Sequence, residues 1–357
     1  MGKKIFNYMI LLALLPAICF ADSLVIKESA PEIYIVEEGD TLWDISNMYL
    51  NQPWLWPQLW RTNVHITNPH LIYPGDELRL RINEDGEPVM AIVREALKAE
   101  IKISPGGDKV LKPAEPIPIL PWSLIKPYIE QDMIMVQEDY DRHPYILGNE
   151  EGAVHFVTDD LVMSKSLSGN ADNYQVVRQQ NEIHDLHGNL LGLQVRHVAD
   201  AIPFESKLDK QVLIKIKRVR FEVKRGDKLI PATKDAADVM ELIPAEQQRG
   251  YIVDDLEQHN LLGKYNVVIL DLGGQDLTAG TVMGVYAQGP NIIDTDKPQY
   301  EGENNFLSNA FSRGDEILQP ALKVGELVVF KVFDKASYAL ITQSTKIIRR
   351  GAIVAKP

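Results

Sequence analysis

The sequence predicts an α+β chain, with a compact β-α-α-β unit near the N-terminus and then a mostly-β region built as small barrels or sandwiches. Three observations carry this. A short apolar strand, Tyr34-Ile35-Val36, leads through a glycine turn into helical spacing at Leu42, Ile45 and Tyr49. The same unit closes on Tyr73-Pro74-Gly75-Asp76-Glu77-Leu78-Arg79-Leu80, a turn and a second strand. Beyond residue 122, alternating apolar runs separated by glycine turns dominate, as in chains of many short strands. The 357 residues suffice for two or three domains, at roughly 100–200 residues each.

Residues 1–21 are expected to lie outside the fold. Lys3 and Lys4 precede an apolar run from Ile5 to Phe20, and Ala21 supplies a small residue before polar sequence begins at Asp22. This is the pattern of a secretory signal cleaved after Ala21. Cys19 raises a lipid-anchored alternative, but Ile18 and Pro16 stand where a lipobox needs small residues. Residues 22–31 read as a polar lead.

Residues 32–81 form the first domain. Gly39 permits a tight turn, and Thr41 with Asp44 has the spacing of a capping box. A second helix is expected from Trp54 to Thr62, with Pro53 or Pro57 in its first turn. Trp56 and Trp60 share a face of it, which favours packing over sugar stacking. Trp43 reads the same way, with a place beside a groove as the alternative. Asp76 reads as a local turn cap.

Residues 82–121 are expected to be a hairpin followed by a connector. Asn83-Glu84-Asp85-Gly86 is a turn signal, and Pro113, Pro116, Pro118 and Pro121 favour extended, semi-stiff chain. Residues 122–357 are the β-rich region. Val212, Ile214 and Ile216 alternate with polar residues; the apolar face then shifts to Val219, Phe221 and Val223. That phase change predicts a bulge or a bend into another sheet. Further strands are expected at 266–271, 281–287, 326–333 and 337–348, with Asp334-Lys335-Ala336-Ser337 as a turn, and one helix at about 233–243 capped by Thr233.

Composition narrows the chemistry. Cys19 is the single cysteine and leaves with the signal, so thiol catalysis, disulfides and sulfur-ligated zinc are excluded. Charged residues number 37 basic and 50 acidic; without Lys3 and Lys4 the balance is 35 against 50, or −15. Such a chain is poorly suited to nucleic acid or anionic lipid. His155 and Asp159 have one spacing found in zinc peptidases, but no His-x-His accompanies them. His184-Asp185-Leu186-His187 is followed by Gly188-Asn189 and reads as a hairpin tip. Glu130, Asp132, Glu138, Asp139 and Asp141 read as a solvated face rather than a glycosidase pair. Arg225-Gly226-Asp227 and Arg313-Gly314-Asp315 read as glycine turns. No catalytic residues, metal or cofactor are expected.

Two blocks, Gly39-Asp40-Thr41-Leu42-Trp43-Asp44-Ile45-Ser46 and Asn68-Pro69-His70-Leu71-Ile72-Tyr73-Pro74-Gly75-Asp76-Glu77-Leu78-Arg79-Leu80, with Asn63 between them, resemble the LysM family over about fifty residues. The resemblance implies binding to N-acetylglucosamine-containing polymers such as peptidoglycan. It places a groove between Gly39, Asp40, Thr41 and Leu42 on one side and Asn68, Pro69, His70, Leu71 and Ile72 on the other. Backbone amides there would hold acetamido groups while apolar side chains cover the sugar face. Peptidoglycan itself carries carboxylates, so bulk charge would not supply the grip. The tryptophan-rich stretch Trp54–Trp60 departs from many members of the family.

Three further blocks, Val223–Ala232, Gly274–Gly289 and Leu322–Val354, together with the domain order, resemble the TsaP family of type IV pilus secretin-associated proteins, whose C-terminal region is related to the flagellar protein FlgT. That resemblance implies a periplasmic, non-catalytic anchor. It would hold peptidoglycan at one end and the outer-membrane secretin at the other, in several copies around the pore. The alternatives are a LysM-targeted peptidoglycan hydrolase and a LysM adaptor of another envelope machine, a flagellum or a secretion pore.

Overall fold

The computed structural model describes residues 24–60, 72–84, 86–93, 116–167, 171–204, 211–232, 240–256, 259, 261–294, 298–301 and 315–357. The expected signal segment lies outside them. The chain divides into two compact units, the first ending at Leu120 and the second starting at Pro121.

In the first unit, β1 (Ile33–Ile35) leads to α1 (Leu42–Tyr49), a 3-10 turn (Pro53–Leu55) and α2 (Trp56–Leu59), then to β2 (Glu77–Ile82) and β3 (Pro88–Val93). The sheet order is β1-β2-β3, antiparallel throughout. The expected Asn83–Gly86 turn joins β2 to β3: Asn83 donates its backbone N–H to Glu87 O at 2.9 Å and accepts from Gly86 N at 3.1 Å. Leu42, Ile45 and Tyr49 are buried on one face of α1, as their spacing predicts. Trp43, Trp54, Trp56 and Trp60 are also buried, and the rings of Trp56 and Trp60 meet edge-on at 6.4 Å. The expected single second helix is split, because Pro53 and Pro57 each open a separate first turn. Its expected end, with Thr62 and Asn63, lies outside the described residues.

The second unit begins with α3 (Trp122–Gln131), β4 (Asp132–Met135) and α4 (Gln137–Arg142). Neither helix was expected. Pro127 inside α3 and the acidic run Glu138–Asp141 in α4 hide the helical pattern. There follow β5 (Ile146–Gly148), β6 (His155–Phe156), β7 (Leu161–Lys165), β8 (Tyr174–His184), β9 (Leu190–Phe204), β10 (Gln211–Lys217), β11 (Val223–Lys224) and β12 (Lys228–Pro231). The main sheet runs β12-β8-β9-β10-β7-β5, with β4 also on β9, while β11 pairs β6 apart from it. The phase change after Ile216 is a departure from one sheet to another: Arg218 takes φ +38 and Val223 pairs Phe156. The sheet ends β5 and β12 meet at a Tyr145–Lys228 bridge.

Next come β13 (Ile243–Pro244), β14 (Gly250–Asp255), β15 (Val267–Leu270), β16 (Thr281–Ala287), β17 (Ile292–Asp294), β18 (Gln299–Tyr300), β19 (Asp315–Ile317), β20 (Leu322–Val332), β21 (Ser337–Ser344) and β22 (Ile353–Ala355). The order β16-β20-β21-β15-β14-β22 closes on itself through β22–β16, giving a six-stranded antiparallel barrel. Alternate residues Val268 and Leu270, Met283 and Val285, Leu327 and Val329, and Ala339 and Ile341 fill it. The Asp334–Ser337 turn joins β20 to β21, with Phe333 N donating to Ala336 O at 2.9 Å. β17, β18 and β19 form a separate small sheet. The helix expected at 233–243 is corrected over its described part. Ile243 and Pro244 form a parallel strand on β16, with Ile243 N donating to Gly280 O at 3.1 Å and Ala245 N to Val282 O at 2.9 Å. Pro244 has no N–H with which to continue a helix. Residues 233–239 lie outside the described chain.

Candidate functional site

The candidate groove is built on two glycine–aspartate turns held side by side. Gly39 takes φ +101 between β1 and α1, and Gly75 takes φ +94 before β2. Val36 links them: its N–H donates to Asp76 O at 2.9 Å and its carbonyl accepts from Gly75 N at 2.8 Å. Each aspartate braces its own turn. Asp40 Oδ2 accepts from Glu37 N at 2.8 Å and from the Tyr34 hydroxyl at 2.9 Å. Asp76 Oδ2 accepts from Tyr73 N at 3.0 Å. Burial, and then the bond to Asp40, push the Tyr34 hydroxyl up to about 12. The first wall is therefore positioned by Asp40 as a turn brace.

Thr41 is the N-cap of α1. Its Oγ1 accepts from Asp44 N at 3.0 Å and donates to Asp44 Oδ2 at 2.8 Å. The helix start then accounts for the donors of its first three residues. Ile45 N donates to Thr41 O at 3.1 Å, while Leu42 N and Trp43 N leave the helix, donating to Pro118 O at 2.9 Å and Ile119 O at 3.0 Å. Ile117 N also donates to Ile72 O at 2.7 Å. The stretch expected to be connector thus ends as a docked segment, Pro116–Leu120, which bends at Ile119 and Leu120 and buries Ile117 and Leu120.

Of the nine groove residues named from sequence, Gly39, Asp40, Thr41 and Leu42 form the turn after β1 and the start of α1, and Ile72 lies just before the Gly75 turn. Leu42 and Ile72 are buried, and their backbone N–H and C=O respectively are bonded to the 116–120 segment. Asn68, Pro69, His70 and Leu71 lie outside the described residues. Sequence reasoning missed the segment 116–120. Its trace was the alternation Pro116-Ile117-Pro118-Ile119, which has strand period as well as proline content.

The other sequence candidates are not brought together. His155 pairs with Glu222 at 3.0 Å, whereas Asp159 pairs with Lys215 at 3.0 Å and with Lys217. Those two lysines hold the Asp159 carboxyl below its usual range. His184 and His187 flank a hairpin tip whose Asp185 Oδ1 accepts from His187 N and Asn189 N, each at 2.8 Å. In the acidic run, Asp139 pairs with Arg142 at 2.7 Å and Asp132 faces Arg196 at 3.6 Å. Burial raises the Asp132 carboxyl against the pull of Arg196. Asp227 of the first Arg-Gly-Asp is buried against Arg178. Arg313 and Gly314 of the second lie outside the described residues. Among the described residues, no helix is long and apolar enough to cross a membrane.

With this geometry in place, comparison with known families decides the first unit. Residues 34–81 match the LysM domain. The chain contains a LysM domain. A curated relative, the "Uncharacterized protein YqbP" of Bacillus subtilis (strain 168), is 33% identical over 64 residues, covering 15% of this chain and 29% of the relative. The chain spans less than a third of that relative's length. The LysM match covers both glycine–aspartate turns and α1, so the candidate site lies within the matched residues.

Proposed function

We propose that this protein is a non-catalytic anchor of the cell envelope. Its LysM domain binds the N-acetylglucosamine-containing glycan of peptidoglycan, and its second unit binds a protein partner in the periplasm, the outer-membrane secretin of a type IV pilus. The LysM match over residues 34–81 is the observation that carries the glycan half. In this reading Gly39–Leu42, braced by Asp40 and Thr41, and Ile72, just before the turn braced by Asp76, offer backbone donors and acceptors to acetamido groups; Asn68, Pro69, His70 and Leu71 are assigned to the same site by the family resemblance alone.

The secretin half rests on the resemblance of Val223–Ala232, Gly274–Gly289 and Leu322–Val354 to the TsaP family. A surface suited to a protein partner supports it: Ile317 and Leu318, at the end of β19, and Leu322, opening β20, are exposed apolar side chains on one short stretch. Several copies around a ring would multiply a weak glycan grip through avidity.

Co-sedimentation with purified sacculi tests the first half. The full chain is expected in the pellet, and a chain lacking residues 32–81 in the supernatant; equal pelleting of both would remove the glycan assignment. In-cell crosslinking tests the second. A secretin adduct that disappears when residues 122–357 are deleted is expected, and a flagellar or secretion-pore adduct in its place would redirect the assignment. A clearing band on a peptidoglycan gel would make the protein a hydrolase.

A further inference from the structure

We infer that Pro116–Leu120 is a built-in plug of the LysM groove, an intramolecular stand-in for glycan that must leave before sugar binds. The inference rests on the reading above of Gly39–Leu42 and Ile72 as part of the glycan site. It starts from where the segment's bonds go. Pro118 O and Ile119 O accept from the N–H groups of Leu42 and Trp43, and Ile117 N donates to Ile72 O. The segment therefore bonds the start of α1 and Ile72 at once. It presents an N–H donor and a C=O acceptor on neighbouring residues, the two functions an acetamido group offers.

A segment that merely capped α1 would need to satisfy the two amides alone. Here it also bonds Ile72 and buries Ile117 and Leu120 on either side of an exposed Pro118. Its composition suits a displaceable occupant. Pro116 and Pro118 lack N–H groups, so the segment is pre-extended but can make few ladder bonds. A ligand that brings its own acetamido groups replaces these bonds in kind. Glycan and segment then compete for the same donors, and the apparent affinity falls by the fraction of time the groove is open. Ejecting the segment should tighten glycan binding, about tenfold if the groove is open a tenth of the time.

The test is calorimetric titration of chitopentaose into the full chain and into Ile117→Asp/Leu120→Asp, with exchange of the Leu42 and Trp43 amides followed by NMR. Those amides are expected to exchange slowly in the parent chain. They should exchange fast in the variant and slowly again once chitopentaose is added, with Kd falling about tenfold or more. Equal or weaker binding by an opened variant overturns the plug while leaving the glycan reading intact. Slow exchange persisting in the variant overturns it too, since these anchors then do not hold the segment. No binding by either protein, with the amides opened, removes the glycan reading and the plug together. Tryptophan fluorescence checks the fold. Should the charged pair unfold the domain, Ile117→Ala/Leu120→Ala is expected to give the same order of affinities.

Discussion

Replacing Asp227 by alanine should weaken the second unit by about 2–3 kcal/mol, against roughly 3–5 kcal/mol for breaking a fully buried pair. Asp227 sits in the turn between β11 and β12 with 4% of its side chain exposed. It accepts from Arg178 Nε at 2.7 Å, from Arg178 Nη2 at 2.6 Å and from Lys224 N at 2.7 Å. Removing the carboxylate deletes all three bonds and leaves a guanidinium behind. The reduction follows from Arg178, whose side chain is 28% exposed and keeps a bond to Glu222 O at 2.8 Å. Urea unfolding followed by far-UV circular dichroism is the assay. Tryptophan fluorescence mainly reports the first unit, which holds four of the five tryptophans, and its transition should stay in place. A cycle with Arg178→Ala should show a coupling of about 1–3 kcal/mol. A loss below about 0.5 kcal/mol, or strict additivity of the two substitutions, would refute the view that this pair pins β12 to β8.

Thr41→Ala removes the N-cap of α1 and should cost about 1 kcal/mol in thermal or urea unfolding of the LysM domain; Thr41→Ser should restore most of it. Tyr49→Phe should leave the domain as stable or slightly more so, since the buried hydroxyl finds no hydrogen-bond partner among the described residues. Burial pushes that hydroxyl up to about 12. The folded state therefore holds the proton more tightly than the unfolded one, and its contribution is present below pH 10 and lost between about 10 and 12. The parent should lose stability in that window, and Tyr49→Phe should lose less. Gly280→Ala should destabilise the barrel by about 2 kcal/mol or more in calorimetry, because Gly280 takes φ +98 and an added Cβ would meet the Glu241 carbonyl.

Legibility in the sequence followed how local the determining contact was. The cap at Thr41, the turns at Gly39 and Gly75, and the buried set Leu42, Ile45 and Tyr49 depend on neighbours within a few residues. Pattern and turn chemistry reach them. The strands at 267–270 and 281–287 were equally plain, since glycine turns bound them and their apolar content is high. Barrel closure was not legible, because the β16–β22 pairing joins residues about seventy positions apart through backbone alone. α3 escaped because Pro127 argues against a helix that tertiary packing nevertheless completes. The segment 116–120 escaped for a similar reason. Proline spacing reads as free connector until the donors at Leu42 and Trp43 are seen to end on it. Ile243 and Pro244 went the other way, because pairing with β16 overrode a helical reading.

The account's central claim, that the LysM domain holds glycan in the groove between its two glycine–aspartate turns, is tested most directly by mapping backbone amide shifts as chitopentaose is added to the full chain. The account predicts the largest changes at Gly39–Trp43, at Asn68–Ile72 and, as the plug leaves, at Ile117–Leu120, with residues 121–357 unmoved. Changes concentrated in the β barrel, or none at saturating sugar, would contradict it.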